Sequence, residues 1–435
     1  MILQKNVIKR RLYFCICAFA AKKPFSILGK KGKESYLCTT IEDFILFMKR
    51  YLALIFLLLV AFETIHAKKR IITGDERTEL YLPMLQGKRI ALFSNHTGLA
   101  GEQHVLDLLI SKGVKVSCIF SPEHGFRGTA DAGERVSSSV DDKPGVSIIS
   151  LYGGKSPLKD SATLERFDIL LVDIQDVGLR FYTYYVTMCK LMNACAPLNK
   201  QVIVLDRPNP NGHYVDGPIL DMSLKSGVGW LPIPVVHGMT LGELARMING
   251  EGWLECGKRC PLTVIPCDNY THRTRCDITV PPSPNLPNLQ SVLLYPSLCY
   301  FEGTSVSLGR GTHFPFQVYG HPDMKNRKFS FLVESLPGAK NPPQLGKVCY
   351  GVDLRQLPES VIRKKGLDLS YVIDAYRDLN MGDKFFTNFF ELLIGKRDVR
   401  RMIINGMTAE QIKATWQDDV RKFRKQRKPY LLYKE

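Results

Sequence analysis

The chain has 435 residues and a net charge of +17, and 45% of its residues are apolar, 10% aromatic and 23% charged. This length suits roughly two to three domains, each able to bury a core without disulfide or metal staples. The composition is close to that of average soluble proteins, which argues against a disordered, collagen-like or multi-span membrane chain. We therefore expect folded α/β domains.

The positive charge is unevenly distributed. The first 47 residues hold nine lysines and arginines against three acids, a net +6. Without this segment and the next twenty residues, the chain carries about +10, so nucleic acid is not the expected partner. A basic helix predicted at 408–428 is interpreted as a solvated face, because no aromatic stacking pattern accompanies it.

A signal peptide is predicted at 48–67. Two basic residues after Met48 precede an apolar run at 51–62 and a small residue at Ala67, the order of a secretory signal. The apolar run has about twelve residues, whereas a membrane span needs roughly 20, so an uncleaved anchor is the weaker alternative. We expect 1–47 to be a mis-called start or a leader, and the mature protein to be periplasmic or secreted with no stable membrane span.

Alternating apolar runs and helix-period segments predict the fold of the first half of the mature chain. Helical patterns occur at 102–112 and 182–196. The apolar runs, typical of buried parallel strands, are at 90–93, 114–120, 146–152, 167–174 and 201–205. This pattern predicts an α/β, Rossmann-like doubly wound parallel sheet in a domain at 68–252. The Pro-rich sequence that follows predicts a second, smaller C-terminal α/β or α+β domain at 253–435.

Four cysteines cluster in the second half of the chain, at Cys256, Cys260, Cys267 and Cys276. Nine cysteines follow Met48, an odd number that rules out a complete disulfide framework. The cluster could form two disulfides or a zinc site, but its spacing matches no common zinc ribbon. The sequence alone does not determine how these four cysteines pair.

Polar residues follow four of the five predicted strands, at the strand ends where doubly wound sheets bind ligands. The same residue types also cap helices and form turns, so each position alone has an ordinary structural interpretation. In chain order they are Asn95 and His96, then Glu123 and His124, then Gln175 and Asp176, then Asp206 and Arg207.

Several chemistries lack their sequence patterns. No G-x-G-x-x-G follows the first strand, and no phosphate loop or G-x-S-x-G elbow occurs, so no nucleotide cofactor and no serine hydrolase is predicted. His96, Glu123, His124 and Asp173 could converge on a metal, but no zinc-binding spacing supports this and we predict none. Acid chemistry remains, because a partly desolvated carboxyl such as Glu123 can donate a proton, and Asp173, Asp176 and Asp206 supply further carboxylates.

Four longer motifs carry a resemblance to a known family. They are SPEHGFRG at 121–128, DIQDVGLRFYTY at 173–184, DRPNP at 206–210 and FEGTSVSLGRGT at 301–312. Together they resemble the bacterial exo-β-N-acetylmuramidase family, and the similarity runs from about residue 74 to 433. The resemblance implies a glycosidase that removes N-acetylmuramic acid from the non-reducing ends of peptidoglycan fragments. It also implies that Glu123 is the principal catalytic residue.

Roles for the other residues follow as hypotheses. Glu123 would protonate the glycosidic oxygen and His124 or His96 would tune it, while Glu302 is a second candidate carboxylate. An arginine suits the lactyl carboxylate of the sugar because its planar fork matches two oxygens. The predicted substrate-binding residues are Asn95, His96, Arg127, Gln175, Asp176, Arg180, Tyr184, Asp206, Arg207, Glu302 and Arg310.

Two other functions share these features. A periplasmic muropeptide-binding protein would have the same signal and cleft, yet would keep its function without Glu123. A metal-dependent amidase or deacetylase on the same polymer would use His96, Glu123 and His124 as ligands, and a chelator would inhibit it.

Overall fold

The computed structural model divides the chain into two units, residues 1–69 and 70–435. The described residues are 45–46, 48–49, 51–53, 55, 69–123, 125–126, 139–140, 145–151 and 156–435, with 139–140 described as backbone only. In the first unit, the described residues between 45 and 55 are helical. The predicted leader and signal peptide lie mostly outside the described residues. No helix in the described part of the chain has the length and apolar character needed to cross a membrane.

A seven-stranded sheet forms the centre of the second unit. Six of its strands are parallel, and the edge strand β5 pairs antiparallel with β6. The spatial order is β5-β6-β4-β1-β7-β8-β9, which for the parallel strands is the order of a Rossmann-type doubly wound sheet. The strands are β1 Arg89–Ser94, β4 Lys115–Ser121, β5 Ser139–Val140, β6 Ser147–Ser150, β7 Ile169–Asp173, β8 Gln201–Leu205 and β9 Leu262–Ile265. A short hairpin, β2 Leu99–Ala100 and β3 Gln103–His104, follows β1.

Both faces of this sheet are buried, which explains why its strands are continuous apolar runs. Along β1, Ile90 and Leu92 belong to one core cluster, whereas Ala91 and Phe93 belong to the other. Successive side chains of a strand point to opposite faces, so a strand covered on both sides needs apolar residues at every position. The predicted fold class is therefore confirmed.

Helices cover the two faces of the sheet. The core cluster that contains Ile90 and Leu92 also contains residues of α1 and α2. The cluster that contains Ala91 and Phe93 also contains residues of α4 and α5 and much of the C-terminal part. Residues 253–435 thus share a core with the sheet. The helices are α1 Thr78–Leu85, α2 Val105–Ser111, α3 Ser161–Glu165, α4 Tyr184–Cys195, α5 Leu241–Gly250, α6 Leu289–Leu298, α7 Glu359–Lys365, α8 Ser370–Leu379, α9 Phe389–Ile394, α10 Asp398–Ile404, α11 Ala409–Ala414 and α12 Gln417–Arg427.

The C-terminal part is of the α+β type. Its strands β10 Val318–His321, β11 Phe329–Leu332 and β12 Val348–Asp353 form an antiparallel sheet in the order β10-β12-β11. The basic segment predicted as one helix at 408–428 is two helices, α11 and α12, separated at Trp416. Trp416 is fully buried and donates a hydrogen bond from Nε1 to Asp216, so the junction between the two helices is anchored in the core.

The sheet also extends further along the chain than we expected. Strand β9 pairs with β8 and lies beyond residue 252, where composition suggested that the first domain ends. Its apolar run Leu262–Ile265 has only four residues and lies between Pro261 and Pro266, so this edge strand is hard to recognise within the Pro-rich sequence. The Pro-rich composition after residue 252 therefore does not mark the end of the sheet.

All nine cysteines of the second unit are free thiols. Cys267 and Cys276 pack with Tyr270 in a small core cluster, whereas Cys260 belongs to the large core. The four-cysteine cluster is thus distributed between two packing environments, and burial raises the pKa of Cys260 to about 11.

Candidate active site

A cleft of about 340 Å³ lies where the carboxyl ends of the parallel strands meet the C-terminal part. Its wall on the sheet side comes from the loop after β4 and the start of α4. Its opposite wall comes from residues 283–286, helix α6 and residues 302–316. The polar lining residues are Glu123, Thr183, Thr187, Lys190, Ser283, Asn285, Glu302 and Arg310.

Glu123 enters this cleft two residues after the end of β4. Its Oε2 atom accepts a hydrogen bond of 2.8 Å from the hydroxyl of Thr183. Thr183 precedes α4, a position where a threonine side chain usually caps the helix, but here it makes no capping hydrogen bond. The hydroxyl orients the Glu123 carboxyl instead.

Glu302 enters the same cleft from a 3₁₀ segment, Cys299–Gly303, in the C-terminal part. Arg310 bonds its Oε1 atom through both Nε, at 2.9 Å, and Nη2. The guanidinium also lies 5.2 Å from the ring centroid of Phe316. Burial alone would lower the pKa of Arg310, but the Glu302 carboxylate outweighs burial and raises that pKa above its ordinary value. The cleft therefore contains two carboxyl groups from separate parts of the chain.

Hydrogen bonds to two proline carbonyls hold the wall at 283–286. The hydroxyls of Tyr182 and Tyr184 both donate to the carbonyl oxygen of Pro282, at 2.7 and 3.0 Å. His96 Nε2 lies 2.8 Å from the carbonyl oxygen of Pro281. The Asn95 amide donates to the Tyr184 hydroxyl at 3.0 Å and so helps to position that hydroxyl. Asn95 and His96 are therefore positioned to support the cleft wall, and Tyr184 itself lines the cleft.

Arg207 lies outside the cleft lining, in a buried ion network. Its Nε donates to Asp173 Oδ1 at 2.6 Å, and its Nη2 donates to Asp75 Oδ2 at 2.6 Å and to Asp173 Oδ2 at 3.1 Å. Burial raises the pKa of Asp75 to about 7, with the Asp173 charge adding to the effect and Arg207 opposing it. This network holds the start of the second unit against β7 and does not present Arg207 to a ligand.

Asp206 is also fully buried. It accepts hydrogen bonds from the hydroxyls of Thr240 and Tyr433, both at 2.6 Å, and from the backbone N–H of Gly242 at 2.8 Å. These contacts fix the amino end of α5 and a tyrosine near the chain end to β8. Burial raises the pKa of Asp206 to about 6.

Arg180 is a buried residue that links the loop after β7 to the C-terminal part. Its guanidinium is fully buried and donates to four backbone carbonyls, those of Pro218, Ile233, Leu393 and Ile394, at 2.6 to 3.1 Å. Its donors thus satisfy the carboxyl end of α9, which bears the last two of these residues. Burial lowers the pKa of Arg180 to about 10.

Gln175 and Asp176 organise the loop after β7. The Gln175 amide donates to the carbonyls of Asp176, at 2.7 Å, and Pro208, at 2.8 Å. Asp176 is buried, accepts the N–H of Gly178 at 2.7 Å, and has a pKa raised by burial to about 7. Neither residue lines the cleft.

His124 and Arg127 lie outside the described residues. Within the described ranges, no three histidine, cysteine, aspartate or glutamate side chains lie close enough together to hold a metal ion. The substrate-binding roles expected for Gln175, Asp176, Arg180, Asp206 and Arg207 are not supported by their positions, because none of the five lines the cleft. Glu123, Tyr184, Glu302 and Arg310 do line it.

Five polar residues of the cleft were not predicted from the sequence: Thr183, Thr187, Lys190, Ser283 and Asn285. Thr183, Thr187 and Lys190 have the i, i+4, i+7 spacing of one helix face, which is polar although most of α4 is apolar. That polar stripe was a readable signal. Asn285 lies in the proline-rich segment, where no periodic pattern could place it.

Comparison with known proteins identifies the family. Sequence profiles described as the N-terminal and C-terminal parts of the exo-beta-N-acetylmuramidase NamZ match residues 90–290 and 293–433. The peptidoglycan beta-N-acetylmuramidase NamZ of Bacillus subtilis (strain 168) is 38% identical over 387 residues, which cover 84% of this chain and 92% of that protein.

Two crystal structures of DUF1343 family proteins from Bacteroides fragilis NCTC 9343 share the fold. One is 58% identical with a TM-score of 0.79, and the alignment covers 84% of this chain and 100% of that one. The other is 28% identical with a TM-score of 0.71, and the alignment covers 84% of this chain and 99% of that one. The chain therefore belongs to the exo-β-N-acetylmuramidase NamZ family and is a glycoside hydrolase.

Proposed function

We propose that the protein is an exo-acting β-N-acetylmuramidase that hydrolyses terminal N-acetylmuramic acid from peptidoglycan fragments, with Glu123 as its principal catalytic acid. The observation that carries this proposal is that Glu123 and Glu302, from separate parts of the chain, line one cleft. Glycosidases generally need a pair of carboxyl groups on either side of the scissile bond.

Glu123 has the surroundings of a proton donor. Its Oε2 atom accepts the Thr183 hydroxyl, which orients the carboxyl, and the cleft gives a substrate access to it, so Glu123 can donate a proton to the glycosidic oxygen. Once that proton leaves, the hydroxyl still donates to the carboxylate and stabilises its new negative charge. His124 follows Glu123 directly and is proposed to assist it.

Glu302 is the proposed second carboxylate. Arg310 holds one of its oxygens through two donors, which fixes the orientation of the carboxylate at the cleft. A carboxylate in this position can stabilise the positive charge that develops on the sugar, or activate a water or attack the sugar itself. Arg310 thus acts as a positioning residue.

The remaining lining suits a sugar ring. Phe181, Tyr182, Tyr184, Tyr295 and Phe316 supply aromatic surface, and Ser283 and Asn285 add polar groups. Ligand pockets typically combine apolar walls with a few placed polar groups, which fix the orientation of the ligand. This combination fits a saccharide with apolar ring faces and hydroxyls at its edges.

The proposal includes export, because the sequence at 48–67 has the order of a signal peptide. Mass spectrometry of the protein from the periplasm or the medium should find a mature start at Lys68. A cytoplasmic protein that retains residues 48–67 would contradict the proposed location.

The decisive test is release of para-nitrophenol from para-nitrophenyl β-N-acetylmuramide. We expect hydrolysis by the wild type. On a peptidoglycan disaccharide, whose sugar leaving group must be protonated, we expect about a 10³-fold lower kcat for Glu123→Gln, since general acid catalysis contributes about 10² to 10⁴. Glu165→Gln removes one exposed glutamate charge outside the cleft and is the matched control, with no change expected.

The same assay separates the alternatives. No release of para-nitrophenol, together with EDTA-sensitive release of acetate or peptide from a muropeptide, would favour the metal-dependent amidase or deacetylase. A folded protein that binds the muramide without hydrolysing it, even at high enzyme concentration, would favour the binding protein. Full activity of Glu123→Gln on the disaccharide would contradict the assigned catalytic acid.

A further inference from the structure

The cations of the cleft differ in what neutralises them. Arg310 is neutralised by Glu302. Arg180 and Arg207, two other arginines suggested by sequence, are buried outside the cleft. Lys190 is the other cation among the described lining residues, and in the described part of the chain no carboxylate lies within ion-pair distance of its ammonium group.

Lys190 lies on the same face of α4 as Thr183. Seven residues separate them, which corresponds to an axial distance of about 10 Å. Thr183 donates to the catalytic Glu123, so the Thr183 end of this face lies at the reacting bond. Lys190 lies at the other end of the same face. A pyranose ring bound beside Glu123 can extend its lactyl ether along α4 toward Lys190. The flexible lysine side chain can cover the remaining distance.

Trp230 orients the lysine. The Lys190 ammonium lies 4.7 Å from a ring centroid of Trp230, and the Lys225 ammonium lies 4.0 Å from it. Lys225 is paired with Glu255, so its charge is satisfied within the protein. Lys190 is exposed, and the indole face that it contacts offers no hydrogen-bond acceptor, so its three ammonium donors are available to a ligand.

Lys190 also stands where the cleft meets a second pocket of about 180 Å³, and it lines both. The second pocket is bounded by Leu158, Asn193, Trp230 and Glu255, among others. A group attached to the sugar can therefore reach Lys190 from the cleft without entering the protein core.

We propose that Lys190 is a specificity-determining residue that pairs with the lactyl carboxylate of the bound N-acetylmuramic acid. The inference rests on the proposed function. From the sequence, an arginine was expected to bind the lactyl carboxylate, whereas this inference gives that role to a lysine. A lysine ammonium binds a carboxylate as a point charge, so the ion pair tolerates rotation of the lactyl group.

The test compares two substrates that differ by one charge, the para-nitrophenyl muramide and its lactyl methyl ester. For Lys190→Met we expect kcat/KM on the free acid to fall about 10- to 30-fold, mainly through KM, because a hydrogen bond to a charged group is lost. Activity on the ester should stay unchanged. Lys190→Arg should retain most of the preference for the acid, since it retains the charge.

Lys225→Met is the matched control, because it removes the other ammonium over the same indole. An equal loss on acid and ester in Lys190→Met would assign this lysine a structural role and overturn the inference. So would a preference for the acid that survives in Lys190→Met but disappears in Arg127→Met. No hydrolysis of either substrate by the wild type would reject the proposed function, whereas hydrolysis with unchanged discrimination in Lys190→Met rejects only this inference.

Discussion

Two groups of acidic residues lie near the carboxyl ends of the same sheet, and they have different surroundings. Glu123 and Glu302 line the cleft, where a substrate can reach them. Asp75, Asp173 and Asp206 are fully buried and have protein donors on their oxygens. The strand-end rule therefore locates an acidic region, but solvent access decides which carboxylates a substrate can reach.

The buried group connects distant parts of the chain. Arg207 joins Asp75 to Asp173, and Asp206 holds both α5 and Tyr433. A buried charge without its partner is costly, so such networks stabilise the fold only as a complete set. Variants that remove one member should affect stability, whereas variants in the cleft should affect catalysis.

The largest stability effect is expected for Arg207→Met. It leaves Asp75 and Asp173 buried without their cation, and breaking a buried pair costs about 3 to 5 kcal/mol. Urea unfolding followed by tryptophan fluorescence measures the free energy of unfolding. The kcat per folded molecule should be retained, and a stable variant with greatly raised KM would instead place Arg207 at the substrate.

Asp176→Asn should change the pH dependence of stability. The folded pKa of about 7 exceeds the ordinary value of 3.8, so folded Asp176 retains a proton that the unfolded chain has released. Its contribution is present below about pH 4 and is lost as pH rises through 7, by at most about 4 kcal/mol at this shift. The variant should lose this part of the slope. Thermal unfolding between pH 4 and 8 measures it, and an unchanged slope would contradict the prediction.

Arg310→Lys should have a smaller effect, on catalysis. A single ammonium cannot reproduce both contacts that the guanidinium makes with Glu302, so the carboxylate loses its fixed orientation. We expect kcat/KM on the muramide to fall about tenfold with a change in unfolding free energy below about 1 kcal/mol. Activity equal to the wild type would show that the orientation of Glu302 does not limit the reaction.

The smallest effect is expected for Thr183→Val. The variant removes the hydroxyl that donates to Glu123 but keeps the shape of the side chain, and one such hydrogen bond is worth about 1 kcal/mol, or roughly a fivefold loss in kcat. Thr183→Ser keeps the hydroxyl and is the control, with near-normal activity expected. Similar losses in both variants would assign the effect to packing of the methyl group.

Local patterns were enough to predict the sheet, because strands buried on both faces must be continuously apolar. They also indicated Glu123, which follows a predicted strand within a long family motif and lines the cleft. They failed for β9, a four-residue run between two prolines, and for the break at Trp416, whose indole bonds a residue 200 positions away along the chain. They also failed to separate Arg310, which lines the cleft, from Arg180, whose donors bind carbonyls of α9.

The sequence by itself determined the fold class, the family resemblance and the acid expected at the centre of the site, because these depend on residue patterns that are contiguous in the chain. Only the tertiary structure decided which polar residues face the cleft. Burial and pairing depend on residues far apart in sequence, as in the network of Asp75, Asp173 and Arg207. The same reason explains why Lys190 drew no attention in the sequence: its charge becomes informative only when its neighbours in space, and their charges, are known.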